Sequence, residues 1–457
     1  MKKLTVCQLN DSFPPTIDGV ANVVVNYARC IQKNHGNVVV ATPKYPDVTD
    51  DYPFPVVRYP SANISKRLGY RAGYPFDPIA ITQIEKHRID LIHTHCPFVS
   101  TLLARVLRHY TGAPVVFTYH TKFEYDIQRR VAFTPVRKAS VKFLLSNIEA
   151  CDEVWVVSEG AGQNLRSLGY TGSYLVMENG TDFARGRATQ QAIDDLTRQY
   201  GLDDGLPVFL FVARMVWYKG LRLMLDGLAE AKSRGRRFYA IFVGDGMDRE
   251  EVMAYAAQLG LEEDCVFPGA IRDRELLRAY FSRADLFLFT NDYDTSGIVV
   301  KEAAACSCPS LLLRGSCAAE GIVHGQNGLL TDGNPVSFAN ALEVAWRDPA
   351  ALKQMGEDAA ETVYLSWEDA VARAWERYQT VLENYRRTKP HHLLPAGQMF
   401  FRGVHAAEDG LHRTHRRYRL VKRSLKRRYH TSKQSVKRKV RDELQKIVDD
   451  LSRDLQE

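Results

Sequence analysis

The strongest constraint on the fold is a rhythm that the chain plays twice. Short apolar runs rich in β-branched residues recur at Leu4–Leu9, Val38–Ala41, Leu91–His93, Val115–Thr118, Val154–Val157 and Tyr174–Met177, with helical patterns between them. A parallel neighbour can be reached only by a crossover long enough to bring the chain back, so this spacing predicts βαβ units and a parallel sheet. A second series follows at Val208–Ala213, Ala240–Val243, Cys265–Phe267, Leu286–Thr290 and Ser310–Leu313. The polar stretch from Ala184 to Gly205 reads as a link and a crossover helix. The expected fold is therefore α/β, with two doubly wound Rossmann-like domains whose ligand crevices lie at the carboxyl ends of the strands. Trp367, Ala370, Val371, Ala374, Tyr378, Val381, Leu382 and Tyr385 then recur at helical spacing after the capping candidate Ser366. The expected domains are 1–183, 184–365, a helix over 366–388 and a basic helical tail over 389–457, which opens with a linker at Lys389–Gln398.

At 457 residues the chain has room for two or three such units. No run approaches the roughly 18–20 apolar residues that a membrane-spanning helix needs. Met1-Lys2-Lys3-Leu4-Thr5-Val6 passes straight into a strand, unlike a signal peptide. Eight scattered cysteines, mostly in apolar contexts, read as buried thiols in a reducing compartment. The net charge of +7 is uneven. Residues 401–441 carry 15 Lys and Arg against only Glu408 and Asp409, so the basic character belongs to an appendage rather than to the α/β body.

Several loops at strand ends carry chemistry. Asp294-Thr295-Ser296-Gly297-Ile298-Val299-Val300-Lys301-Glu302 follows the strand Leu286–Thr290 and turns into a helix. Backbone N–H groups at Ser296, Gly297, Ile298 and Val299 would then emerge from a helix N-terminus, a natural seat for phosphate. Asp294 and Glu302 flank that seat. A carboxylate repels phosphate, so hydroxyls of a sugar and a ribose explain these two better; an ordinary Asp helix cap is the alternative. Arg214 and Lys219, in Val-Ala-Arg-Met-Val-Trp-Tyr-Lys-Gly after the first strand of the second half, offer fixed cations where a leaving diphosphate develops charge. The Pro-punctuated loop from Phe13 ends at Asp18-Gly19, where backbone can approach a phosphate or sugar closely. His120 ends another strand, as do His93 and His95, for which a structural role is the simpler reading. Gly244 lies in a Gly-Asp-Gly loop that lacks the dinucleotide fingerprint, and Gly269 ends Phe-Pro-Gly. Glu178-Asn179-Gly180-Thr181-Asp182 is a turn signal for which structural and ligand roles both stand. Asp292-Tyr293-Asp294 is formally a D-x-D metal pattern.

Taken together and in order, these motifs resemble those of family-four glycosyltransferases, which have the GT-B fold. Asp294 to Glu302 resembles the family's E-x7-E motif, with Asp in place of the first Glu. Arg214 to Lys219 resembles its G-R-x-x-x-x-K-G segment, with Ala213 for the first Gly. The resemblance covers about residues 1–388. It implies retaining transfer of a hexose from a nucleotide sugar, a UDP-sugar in first place, to an acceptor hydroxyl. It assigns catalytic roles to His120, Asp294, Arg214 and Lys219. It assigns substrate contacts to Asp18, Gly19, Gly244, Gly269, Ser296, Gly297, Ile298, Val299 and Glu302. No metal and no cofactor are expected, because protein cations suffice for the leaving group and the nucleotide sugar is a co-substrate. The segment 366–388 resembles the family helix that crosses back onto the first domain.

Within the family, Thr118-Tyr119-His120-Thr121-Lys122-Phe123-Glu124-Tyr125 looks most like enzymes that glycosylate diacylglycerol or related lipids. A lipid acceptor is the first expectation and a cell-surface polysaccharide the second. Two basic regions fit an anionic membrane surface: Lys122, Arg129, Arg130, Arg137, Lys138 and Lys142 interleaved with Phe123, Tyr125, Phe133 and Leu144, and the tail from Arg413 to Arg441. The stripe Val436, Val440, Leu444, Ile447, Leu451, Leu455 could also self-associate. The expected place is the cytoplasm, peripheral at the inner face of the membrane. A non-catalytic nucleic-acid-binding protein would account for the tail but leaves Arg214, Lys219, Asp294 and Glu302 unexplained, so nucleic acid is not the expected partner.

Overall fold

In a computed structural model the described residues are 3–16, 18–63, 71–123, 134–202 and 205–388. The basic tail, together with Arg129, Arg130, Phe133 and the Glu124-Tyr125 end of the lipid-enzyme-like motif, lies outside them. The first sheet takes its strands from β1 (Thr5–Leu9), β2 (Asn37–Pro43), β3 (Val56–Tyr59), β6 (Leu91–Thr94), β7 (Val115–Tyr119), β8 (Glu153–Val156) and β9 (Leu175–Val176). A small antiparallel pair, β4 (Ser61–Asn63) and β5 (Arg71–Gly73), stands apart. The second sheet holds β10 (Val208–Val212), β11 (Tyr239–Val243), β12 (Cys265–Gly269), β13 (Leu286–Phe289), β14 (Ser310–Leu313) and β15 (Leu329–Thr331).

Both sheets are wholly parallel, with orders β3-β2-β1-β6-β7-β8-β9 and β12-β11-β10-β13-β14-β15. Central strands are buried on both faces, which is why β1, β7 and β13 read as continuous apolar runs rather than alternating ones. Each order reverses once, between β1 and β6 and between β10 and β13. Loops diverge to opposite faces at such a reversal, leaving a crevice at the strand ends. These are two Rossmann-like domains, and both sheets lie in one compact unit of the chain. Residues Phe76–Thr82 fall in a second unit; there Asp77 Oδ2 accepts from the Ala80 N–H at 2.8 Å at the start of the helix Pro78–Glu85.

The helices begin where short polar side chains take up orphan N–H groups. Asp18, Ser158, Thr189, Asp273, Asn334 and Asp348 each accept from the first turn of the helix that follows. Ser366 does the same: its Oγ accepts from the Asp369 N–H at 3.0 Å. The helix Trp367–Thr388 lays Trp367, Ala370, Val371, Ala374, Tyr378, Val381 and Leu382 into the core of the first domain, beside Val6, Tyr27 and Trp155. Arg377 fixes its far side through two hydrogen bonds to Glu153, at 2.8 and 2.6 Å. A separate core, built around Phe211, Phe242, Leu288 and Phe338, fills one face of the second sheet.

Candidate active site

The reversal in the second sheet collects the charged residues. Lys219 leaves β10 through a short 3-10 turn, Trp217–Lys219, and Asp294 lies just past β13. The two strands are neighbours, so residues 75 apart in sequence meet: the Lys219 ammonium donates to both Asp294 oxygens at 2.6 Å. Asn291 shapes the loop, its Oδ1 accepting from the N–H groups of Tyr293 at 2.7 Å and Asp294 at 3.3 Å. Asp294 therefore faces a cation and does not cap the helix.

That helix, Ile298–Ala305, has Gly297 as its N-cap, at φ 56° and with no side chain to hold the first-turn N–H groups. A Cβ at Gly297 would sit 2.7 Å from that of Ala318, so both backbone and space call for glycine there. Ser296, Ile298 and Val299 are partly exposed around this open N-terminus. About one and a half turns on, Glu302 accepts from Arg274 Nη2 at 2.9 Å, and Arg274 also donates to Asp182. The Arg274 guanidinium lies 4.1 Å from the Phe183 ring centre. Burial pushes the Glu302 carboxyl up, and the Arg274 charge opposes that. Arg214 is exposed and has no ion pair among the described residues. Gly269 sits at φ 85° beside open space. Gly244 is different: a Cβ there would lie 1.9 Å from the Ala213 carbonyl, so the position is needed for the close approach of the loops after β10 and β11.

The reversal in the first sheet collects histidines. His93 on β6, His95 just beyond it and His120 just beyond β7 are all buried. His95 Nδ1 lies 2.9 Å from His120 Nε2, and His95 Nε2 lies 2.6 Å from Gln8 Oε1. His93 joins Tyr378 on the crossing helix at 2.5 Å and Thr118 at 2.7 Å. Burial pulls His120 down to about 3 and holds His93 and His95 well below the ordinary histidine range, so all three rings are neutral. Asp18 caps the helix Gly19–Cys30 through Oδ1, 2.7 Å from the Ala21 N–H. Its Oδ2 is buried without a hydrogen-bond partner among the described residues, and Gly19 faces open space.

Four contacts tie the two strand-end regions together. Lys122 donates to the Asp292 carbonyl at 2.7 Å, and the Thr295 hydroxyl donates to the His120 carbonyl. Lys301 donates to the Asn179 carbonyl at 2.8 Å. The Glu320 carboxylate accepts from the N–H groups of Glu159 and Gly160 at 2.7 and 2.6 Å, where a negative charge also suits the helix dipole. Lys122 and Leu144 are buried, so they drop out of the surface patch expected at Lys122 to Lys142; Phe143 is exposed. Of the D-x-D, Asp292 engages through its carbonyl and Asp294 through Lys219. Among the described residues no group of three or more His, Cys, Asp or Glu is disposed to hold a metal, and no helix is long and apolar enough to cross a membrane.

Residues 17–185 match Glycosyltransferase Family 4, and residues 192–362 match Glycosyl transferases group 1. Each match takes one of the two domains. The chain is a family-four glycosyltransferase. This glycosyltransferase is 23% identical over 303 residues to the alpha-monoglucosyldiacylglycerol synthase of Streptococcus pneumoniae, covering 65% of the present chain and 68% of the relative. It is also 23% identical over 394 residues to a GDP-mannose-dependent alpha-mannosyltransferase of Corynebacterium glutamicum, covering 84% and 89%. The solved structure of Anabaena Alr3699/HepE in complex with UDP superposes with a TM-score of 0.66 at 18% identity, over 83% of this chain and all of that one. That likeness shows the GT-B fold.

The sequence marks Lys219, Asp294, Glu302 and His120; the fold brings Lys219, Asp294 and His120 to strand ends and places Glu302 in the helix that follows β13. Sequence reasoning passes over Gln8, Asn291, Arg274 and Glu320. Gln8, Arg274 and Glu320 act through partners far away in sequence and leave no local motif, whereas Asn291 holds N–H groups two and three residues on, in a turn role that any short polar acceptor there could fill.

Proposed function

We propose that this glycosyltransferase moves a hexose from a nucleotide sugar, a UDP-sugar in first place, to the hydroxyl of a membrane lipid such as diacylglycerol, with retention at the anomeric carbon. The observation that carries the reading is the meeting of Lys219 and Asp294 at the β10/β13 reversal, beside an N-terminus left open by Gly297. In this reading residues 184–365 hold the donor and residues 1–183 face the acceptor. Lys219 and Arg214 stabilise the diphosphate as its bond to the sugar breaks, aided by the N–H groups of Ser296, Gly297, Ile298 and Val299. Asp294 holds donor-sugar hydroxyls, Glu302 the ribose, and the Gly269 loop the base. The acceptor oxygen bonds to the anomeric carbon on the face the phosphate leaves, and its proton passes to the leaving phosphate oxygen. Asp18, Gly19 and His120 line the sugar side. Protein cations take the part that a metal plays elsewhere, so no metal is required.

A lipid acceptor is supported by the named activity of the Streptococcus relative, by the motif around His120 and by the basic stretch 401–441. The test is transfer from UDP-, GDP- and ADP-sugars in excess EDTA, with diacylglycerol in anionic or neutral vesicles as acceptor. Transfer to lipid that survives EDTA is expected. Loss restored by Mn²⁺ would overturn the metal-free reading, and transfer only to a soluble glycan would move the acceptor to a polysaccharide. A chain ending at Lys389 should keep donor hydrolysis and lose co-sedimentation with anionic vesicles.

A further inference from the structure

The three buried imidazoles of the first domain sit in a polar circuit whose donors and acceptors can be assigned one by one. Gln8 lies on β1, fully buried and in register with His93 on β6. Its Oε1 is 2.6 Å from His95 Nε2, and its Nε2 is 3.4 Å from the Tyr378 hydroxyl. A separation of 2.6 Å lies just under the usual range for an N–H donating to oxygen and further under that for an amide N–H donating to a ring nitrogen. The amide oxygen therefore faces His95, and His95 carries its proton on Nε2. A neutral His95 then has a bare Nδ1, which accepts from His120 Nε2 at 2.9 Å. That places the His120 proton on Nε2 and leaves its Nδ1 as the acceptor.

The rest of the circuit agrees. Tyr378 takes the Gln8 N–H and gives its own proton to His93 Nδ1, and His93 Nε2–H donates to the Thr118 hydroxyl. No donor meets a donor. Among the described residues, the groups against the His95 ring are His93, the edge of the Tyr27 ring, the Gln8 amide and His120, none of them charged. Thr295, next to Asp294, holds the His120 carbonyl from the other domain, so the backbone of His120 is anchored beside the loop that carries Asp294.

We propose that Gln8 and His95 are positioning residues that hold His120 in its Nε2-protonated form, so that Nδ1 is the nitrogen offered to a donor-sugar hydroxyl. The proposal rests on the reading of His120 as a sugar contact. The opposite tautomer would present an N–H, and a sugar hydroxyl would then have to accept instead of donate.

The wild-type full chain decides the tautomer directly. Long-range proton–nitrogen correlations of ¹⁵N-histidine-labelled protein, with His120 assigned by its loss in His120→Asn, should show Nε2 protonated and Nδ1 bare. A protonated Nδ1 would overturn the proposal without any variant having to fold. Gln8→Met, apolar and of similar size, should lower kcat by about tenfold, the worth of one well-placed hydrogen bond. Affinity for the nucleoside diphosphate that the wild type binds should stay unchanged. A fully active Gln8→Met beside an inactive His120→Ala would overturn the relay while sparing the donor-site reading. A fully active His120→Ala would overturn that reading, and with it the role of the relay, whatever the tautomer.

Discussion

The two crevices of this molecule are built alike and furnished oppositely. Each opens where a parallel sheet reverses its strand order, β1 against β6 in one domain and β10 against β13 in the other. In the first, Gln8, His93, His95 and His120 are buried and uncharged. In the second, Lys219 with Asp294 and Arg274 with Glu302 are paired charges that keep some contact with water. Topology fixes where a ligand can bind, and the few residues just past each strand decide what kind. A neutral hydrogen-bonding wall suits hydroxyls; cations beside an open helix N-terminus suit a diphosphate.

The largest test of that contrast lies on the charged side. Lys219→Ala should cut turnover by about a hundredfold or more, because losing one preorganised contact to developing charge costs roughly 3 kcal/mol. Sugar-transfer rates at saturating donor measure it. A loss of a few fold would mean that Lys219 serves only its ion pair with Asp294.

The neutral side is tested by acid. The unfolded histidine pKa is about 6.5, and burial lowers the folded values, so the unfolded chain binds more protons as pH falls. Stability is full above about pH 6.5 and should drop on acidification by up to about 1.4 kcal/mol per pH unit for each of the three rings. Denaturant midpoints at pH 7, 6 and 5 measure it, and a flat profile would mean that the rings carry charge in the folded state. The smallest effect is expected from Glu302→Gln. It removes a charged acceptor, weakening nucleotide binding by about tenfold with turnover nearly kept. Calorimetric titration with nucleoside diphosphate measures it; unchanged affinity would leave Glu302 with only its Arg274 pair.

Much of this was legible in the sequence, and the parts that were not share a cause. β1, β7, β10 and β13 announce themselves because buried parallel strands are nearly all apolar. β3 was missed because Val56–Tyr59 is short and follows a proline, and β15 because Leu329–Thr331 spans only three residues. Lys219 and Asp294 could be named because each sits in a recognisable loop. Arg274 could not, since its partners lie 92 residues before it and 28 after it. Gln8 looks like one polar interruption in a strand, and its meaning appears only when β6 and the helix from Trp367 come to lie beside it.

That helix has a consequence for how the chain is made. The first domain's core is completed by Trp367, Ala370, Val371, Tyr378 and Leu382, residues translated after the whole second domain. At the usual pace of about 5–20 residues per second, the earlier half waits roughly ten seconds or more with one face uncovered. Domains generally mature in the order in which they are synthesised. Here the order should invert, with the second domain setting first and the first sealed only as residues 367–382 clear the ribosome. A chain stopped at residue 365 should therefore bind a hydrophobic dye in its first half and resist protease in its second; equal resistance in both halves would show that the seal is dispensable.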